Sequence, residues 1–184
     1  MNQRIVLIHG WQDQPNRGWM AWLNKECVNL GYEFVAPLMP SPKVPVIADW
    51  VRVASKAITS INNQTILVGH SLGTNILLRY LAEYQGKPED KARALILVSG
   101  FLQPGRKEAE ALFDHLPNVE QAKSRVENIY SIYSDNDKTV LPSKSIELAN
   151  LLGGSQLCLP GYGHFLTKYI DKIPELMQII KNLD

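Results

Sequence analysis

The chain has 184 residues, 45% hydrophobic and 20% charged, with 19 Lys and Arg against 18 Asp and Glu for a formal charge of +1. That length can bury a proper core without disulfides or metal, and the composition excludes a disordered chain. No block of like charge forms and no apolar run approaches ~20 residues, which excludes a nucleic-acid footprint, a polybasic membrane patch and a membrane span.

In chain order, apolar bursts alternate with longer helical patterns. The opening MNQRIVLIHG has only Ile5 to Ile8 before a histidine, too little apolar length for a secretory leader, so a cytoplasmic protein is expected. "RIVLI" (4–8) reads as a buried strand closed by His9-Gly10, and "WMAWLNKECVNLG" (19–31) as a helix stopped by Gly31. "EFVAP" (33–37) is a second strand, "LMPSPKVP" (38–45) a proline-rich loop, and "VIADWVRVASKAITSI" (46–61) a second helix. "TILVG" (65–69), the helix of 72–85 and "RALILVSG" (93–100) follow. Within the ambiguous stretch 104–126, "GRKEAEALFDHL" (105–116) suggests a helix. "NIYSIYS" (128–134) is a fifth strand, 142–154 a helix with a glycine stop, 155–160 a sixth strand, and 171–181 the last helix. Strands alternating with helices predict an α/β fold: one doubly wound domain over residues 1–184, built on a mostly parallel six-stranded sheet. Cys27 and Cys158 lie outside metal-ligand spacing and read as two buried reduced thiols rather than a bridge.

The chemistry concentrates at Gly69-His70-Ser71-Leu72-Gly73, where a strand stops and a helix begins. Gly-x-Ser-x-Gly in that context makes a sharp turn that lifts the serine hydroxyl clear of the backbone. A hydroxyl needs a base to become a nucleophile. Among His9, His70, His115 and His164, the last lies in "PGYGHFL" after the sixth strand, where a glycine-rich loop can bring an imidazole over the sheet edge. His70 sits inside the turn and His115 reads as surface. The acid is sought after the fifth strand, where "YSDNDKTVLP" offers Asp137, with Asp135 in reserve. Backbone N–H groups of Leu72 and of Trp11, the latter in the loop after the first strand, are the candidate oxyanion donors. Trp11, Trp19, Trp22 and Trp50 could line a pocket, although their spacing assigns Trp19 and Trp22 to the core.

With these residues assembled, the chain resembles the α/β-hydrolase superfamily, and within it the small serine hydrolases of the retinoblastoma-binding protein 9 and YdeN type. The likeness rests on "IVLIHGW", "GWMAWLNKE", "PLMPSPKVP", "ILVGHSLG", "LILVSGF", "YSDNDKTVLP" and "GYGHF", which span nearly the whole chain. It implies Ser71 as nucleophile, Asp137 as acid, His164 as base, and a reduced hydrolase core that begins at the strand carrying the oxyanion loop. Fewer than thirty residues separate the fourth strand from "NIYSIYS", too few for a full cap domain, so an open site for short acyl groups is expected. The function so read is hydrolysis of a small ester-type substrate through an acyl-enzyme, with no metal or organic cofactor and no nucleic-acid or membrane partner. Thioester or amide substrates, or a non-catalytic interaction module on the same fold, are the alternatives. No pattern in the chain carries over a retinoblastoma-type partner, and whether a protein partner exists is left open.

Overall fold

Strands form where β-rich apolar runs alternate their side chains between two buried faces. The computed structural model describes residues 3–103 and 112–183. The strands are β1 (Arg4–Ile8), β2 (Glu33–Val35), β3 (Thr65–His70), β4 (Ala92–Val98), β5 (Val126–Tyr133) and β6 (Ser155–Cys158). They pair in the order β2-β1-β3-β4-β5-β6, and every pairing is parallel. The helices are α1 (Gly18–Asn29), α2 (Ile47–Ile58), α3 (Leu72–Ala82), α4 (Val119–Ser124), α5 (Pro142–Leu152) and α6 (Pro174–Lys181).

The period of two distributes the core. Ile5, Leu7, Ile66, Val68, Ala94 and Ile96 pack against Trp19, Met20 and Leu23 of α1 and Leu176 and Ile180 of α6. Val6, Ile8, Leu67, Leu95 and Leu97 face the opposite way, against Trp50 of α2, Ile76 and Leu77 of α3, and Leu148 of α5. With both faces covered, the central strands need no polar side, which is why they read as continuous apolar runs.

Several ends differ from expectation. The last helix starts at Pro174 rather than near 171, because proline fits a first helical position where no N–H is required. The sixth strand ends at Cys158, two residues before Pro160. Of the helix expected over 105–116, residues 105–111 lie outside the described residues, and 112–116 form turns instead. Those turns are tied down by the buried Arg79 guanidinium, which reaches Asp114 Oδ1 and both the ring and the carbonyl of His115. Helix α4 is capped by Asn118, whose side chain accepts the Gln121 N–H at 3.0 Å. Both cysteines are free thiols, but only Cys27 is buried; Cys158 is exposed at the end of edge strand β6, contrary to the expectation of two buried thiols. Burial pushes the Cys27 thiol up to about 12. Among the described residues no helix is long and apolar enough to cross a membrane.

Candidate active site

Strand order reverses direction at β1, which has β2 on one side and β3 on the other. The crevice beyond the carboxyl ends of β1 and β3 is where open parallel sheets place ligands. Ser71 stands there, between β3 and α3, with φ 50° and ψ −118°. A non-glycine residue reaches this region only under constraint, and the two flanking glycines supply it. A Cβ on Gly69 would lie 2.8 Å from the backbone of Thr74, and one on Gly73 only 2.0 Å from the Ile8 carbonyl oxygen. Strand, serine and helix therefore meet at a separation that no larger residue allows at 69 or 73. The Ser71 N–H bonds the Val98 carbonyl at 2.9 Å, and Thr74 Oγ1 donates to the Ser71 carbonyl at 2.6 Å.

The loop after β6 carries His164. Gly161 and Gly163 have φ of 82° and 58°, and space around both is open. Their conformational freedom is removed by the segment after β5. Asp135 Oδ1 accepts the Gly161 N–H at 2.9 Å, Ser134 Oγ the Tyr162 N–H at 2.9 Å, and Asn136 Oδ1 the Gly163 N–H at 2.7 Å. So held, His164 puts Nε2 3.0 Å from Ser71 Oγ and Nδ1 2.8 Å from Asp137 Oδ2. Asp137 is almost wholly buried, and its carboxylate is fully engaged. Oδ1 accepts the Thr139 and Val140 N–H groups at 2.8 and 3.0 Å, and Oδ2 also accepts the Ser99 hydroxyl at 2.9 Å. Burial works to raise the Asp137 carboxyl, but the His164 and backbone hydrogen bonds outweigh it and hold it below 3.8. Burial lowers His164 from 6.5 despite the upward pull of its bond to Asp137, so the ring is neutral, with Nδ1 protonated and Nε2 free to accept a proton.

The three residues singled out at 71, 137 and 164 thus converge, and Asp135 does not join them but clamps the loop of His164 instead. Leu72 follows Ser71 at the start of α3, and Trp11 follows Gly10 in the loop after β1. A Cβ on Gly10 would come 3.0 Å from Ser71 Cβ, which sets the Trp11 backbone in the same corner. Among the described residues neither the Trp11 N–H nor the Leu72 N–H has an acceptor. A cavity of about 620 Å³ opens onto Ser71, lined by Trp11, Gln12, Arg17, Thr139 and Leu166 among others. Of the four tryptophans only Trp11 lines it. Trp19 and Trp50 are core residues whose indoles donate to Phe165 O and Pro40 O. Sequence reasoning missed Ser99, which follows β4 with φ 47° and braces Asp137. It also missed Asp13 and His70, buried against the loop of His164. The one available signal for Ser99 was its place at the carboxyl end of a strand.

A parallel sheet wrapped by helices, with a serine, an imidazole and a carboxylate in a chain at its carboxyl edge, defines the α/β-hydrolase class. The crystal structure of the ydeN gene product from Bacillus subtilis has this fold: its TM-score is 0.91 at 25% identity, covering 99% of this chain and 98% of that one. The family model described as serine hydrolase matches residues 5–179, and the chain belongs to that family. It is 31% identical over 172 residues to the YdeN protein of B. subtilis (strain 168), covering 90% of this chain and 87% of that protein. It is also 25% identical over 183 residues to the serine hydrolase RBBP9 of Rattus norvegicus, covering 97% and 93%.

Proposed function

We propose that the protein hydrolyses small carboxylic esters through a covalent acyl-enzyme on Ser71, with His164 as general base and acid and Asp137 as the carboxylate that orients it. The observation that carries this is the continuous chain Ser71 Oγ–His164 Nε2 at 3.0 Å and His164 Nδ1–Asp137 Oδ2 at 2.8 Å. His164 Nε2 takes the hydroxyl proton as Ser71 Oγ bonds the ester carbon. The resulting oxyanion is held by the Leu72 and Trp11 N–H groups, each worth about 10²–10³ in rate. When the tetrahedral intermediate collapses, the carbon–oxygen bond to the alcohol breaks and the proton on Nε2 leaves with it. Water, deprotonated by the same nitrogen, then bonds the acyl carbon; the carbon–Oγ bond breaks, Nε2 returns its proton to Ser71 Oγ, and the acid leaves. Asp137 stays ionised throughout and stabilises the imidazolium.

Residues 1–184 act as one hydrolase domain in this reading. The cavity of about 620 Å³ lies within the range of small-ligand sites and suits a short acyl group with a compact alcohol. The test is labelling with a fluorophosphonate probe and turnover of p-nitrophenyl acetate, butyrate and octanoate, by the native protein and Ser71→Ala. The reading requires labelling and turnover that vanish in Ser71→Ala, with acetate or butyrate preferred. Turnover that survives the substitution sinks it.

A further inference from the structure

Beside His164 lies a second carboxylate–imidazole pair that the hydrolytic steps do not use, its Asp13 lining the same cavity as Ser71. His70 and Asp13 side chains are 2% and 10% exposed, and His70 Nδ1 stands 3.6 Å from Asp13 Oδ2. Neither of these two buried atoms has a hydrogen-bond partner among the described residues, and they face each other at ion-pair range. The other oxygen, Asp13 Oδ1, is occupied by the Thr167 hydroxyl at 2.6 Å and the Gln14 N–H at 2.8 Å. The far side of the His70 ring is committed too: Nε2 lies 2.9 Å from the His164 carbonyl oxygen, an atom that only accepts. The rings of His70 and His164 are 5.2 Å apart, and the Trp19 ring stands perpendicular to His70 at 5.7 Å.

Tautomers follow from these partners. His9 accepts the Met39 N–H at Nε2 and so donates from Nδ1 to Gly10 O; it is neutral. His164 donates to Asp137 from Nδ1 and accepts from Ser71; it is neutral too. His70 alone faces an acceptor at each nitrogen. With one proton only, on Nε2, its Nδ1 lone pair would point at a buried carboxylate. Asp13 is kept ionised: burial would raise it, but the His70 and Thr167 contacts outweigh that and hold it below 3.8.

We infer that Asp13 and His70 form a second dyad, an Asp13 carboxylate with a doubly protonated His70, that positions His164 through its main-chain carbonyl and sets a positive charge beside its ring. The inference rests on Ser71, His164 and Asp137 being the hydrolytic residues. Two effects follow. The His70 Nε2–H to His164 O bond holds the His164 loop in addition to the Asp135–Asn136 clamp, so losing it lets the base drift from Ser71 Oγ. The His70 cation disfavours a second positive charge on His164, so the base stays neutral to lower pH. The charges facing His164 are Asp137, His70 and Asp13; those facing His70 are Asp13 and His164, with His9 neutral nearby. Burial first, and the His70 charge in the same sense, hold His164 down against the two carboxylates.

Two measurements test this. In native protein with ¹⁵N-labelled histidine at pH 7.5, where an ordinary histidine near 6.5 is mostly neutral, long-range ¹H–¹⁵N correlations should show protons on both nitrogens of His70. They should show only Nδ1 protonated in His9 and His164. In Asp13→Asn the amide can donate to Nδ1, and His70 should revert to a single proton on Nε2. A singly protonated His70 in the native protein overturns the inference, and this outcome needs no variant to fold. The second measurement is the pH profile of fluorophosphonate labelling. His70→Asn should label about 10- to 100-fold more slowly through misplacement of the base, and its acid limb should move to higher pH. A purely structural role would slow labelling or lower Tm while leaving the limb where it was, and that result also refutes the inference. A native protein that is never labelled at any pH refutes the proposed hydrolase function instead, while the histidine spectra still report on the dyad.

Discussion

Gly73→Ala probes the closest approach in the site. Its Cβ would stand 2.0 Å from the Ile8 carbonyl oxygen, 2.7 Å from the Ile8 carbonyl carbon and 2.9 Å from the His9 carbonyl oxygen, all of them backbone. No side chain can rotate away, so the start of α3 and the end of β1 must part by about 1.4 Å to reach the 3.4 Å of ordinary contact. β1 is paired on both edges, Ile8 itself opposite Gly69 of β3, so the strand cannot yield alone. The displacement falls between the two proposed oxyanion donors, Leu72 on α3 and Trp11 beyond β1. A misplacement of ~1 Å costs about 10²-fold in rate, and overpacking costs about 1–3 kcal/mol. The assay is kcat/KM for p-nitrophenyl acetate alongside urea unfolding, native against variant. The expected result is a loss of about 100-fold in kcat/KM with a lower unfolding midpoint. A variant within threefold of native activity at unchanged stability would refute the argument that this contact sets the oxyanion geometry.

Other outcomes follow from the same geometry. Asp137→Asn keeps the shape but presents the wrong partner to His164 Nδ1, and kcat should fall by about 10⁴; a fall below tenfold would detach Asp137 from the reaction. Because burial lowers His164 from 6.5, the acid limb of native kcat/KM should have its midpoint below 6.5. A midpoint above that value would contradict a buried neutral base. Asp13 and Asp137 are both held below the 3.8 of a free Asp. The stability they contribute is complete above that value and is lost as pH falls through their lower folded values. Urea midpoints should therefore fall further below about pH 4, with that low-pH decline smaller in Asp137→Asn. This comes beyond a loss that begins near pH 6.5, where the unfolded chain takes up protons that the buried His9 and His164 do not.

The sheet was legible because its strands are buried on both faces: "RIVLI", "TILVG" and "RALILV" admit no reading but short apolar β runs. Ser71 and His164 were legible because glycines mark backbone that must bend sharply, and each lies where a strand has just ended. Asp137 could be separated from Asp135 only by spacing. In the structure both are committed, one to the His164 ring and one to the Gly161 N–H, and nothing local in "SDND" distinguishes a loop clamp from a ring partner. Asp13, His70 and Ser99 were not legible for a different reason. Their partners are 154, 94 and 38 residues away, and a contact across the sheet edge leaves no periodic trace in the chain. Helix ends were read late or early by a few residues because their stops are set by capping and by proline, and α2 and α3 lack a strong sequence stop.

Two of the strained backbone positions lie where the chain leaves the sheet. Ser71 and Ser99 take φ of 50° and 47° directly after β3 and β4, and Phe165, beside His164, takes 51°. Such residues cost of order 1–3 kcal/mol each unless held in place. The two serines are held alike: each donates the last ladder-like bond of its strand, Ser71 to Val98 O and Ser99 to Ile132 O, both at 2.9 Å. The chain then turns, and the hydroxyl emerges at the edge. For Ser71 the position is the reactive group itself, whereas for Ser99 it is a brace on Asp137, and the two contributions at Ser99 can be separated. Ser99→Ala removes the hydroxyl and keeps the strain; Ser99→Gly removes both. Losing one bond to a charged group costs about 1.5–3 kcal/mol, and relief of the left-handed backbone returns about 1–2 kcal/mol, less the ~0.5–1 kcal/mol of added glycine entropy. The glycine variant should therefore unfold at equal or higher urea than the alanine variant, while both lose the same severalfold in kcat/KM. If the glycine variant recovers native activity, the site does not need the hydroxyl bond from Ser99 to Asp137, and the argument fails.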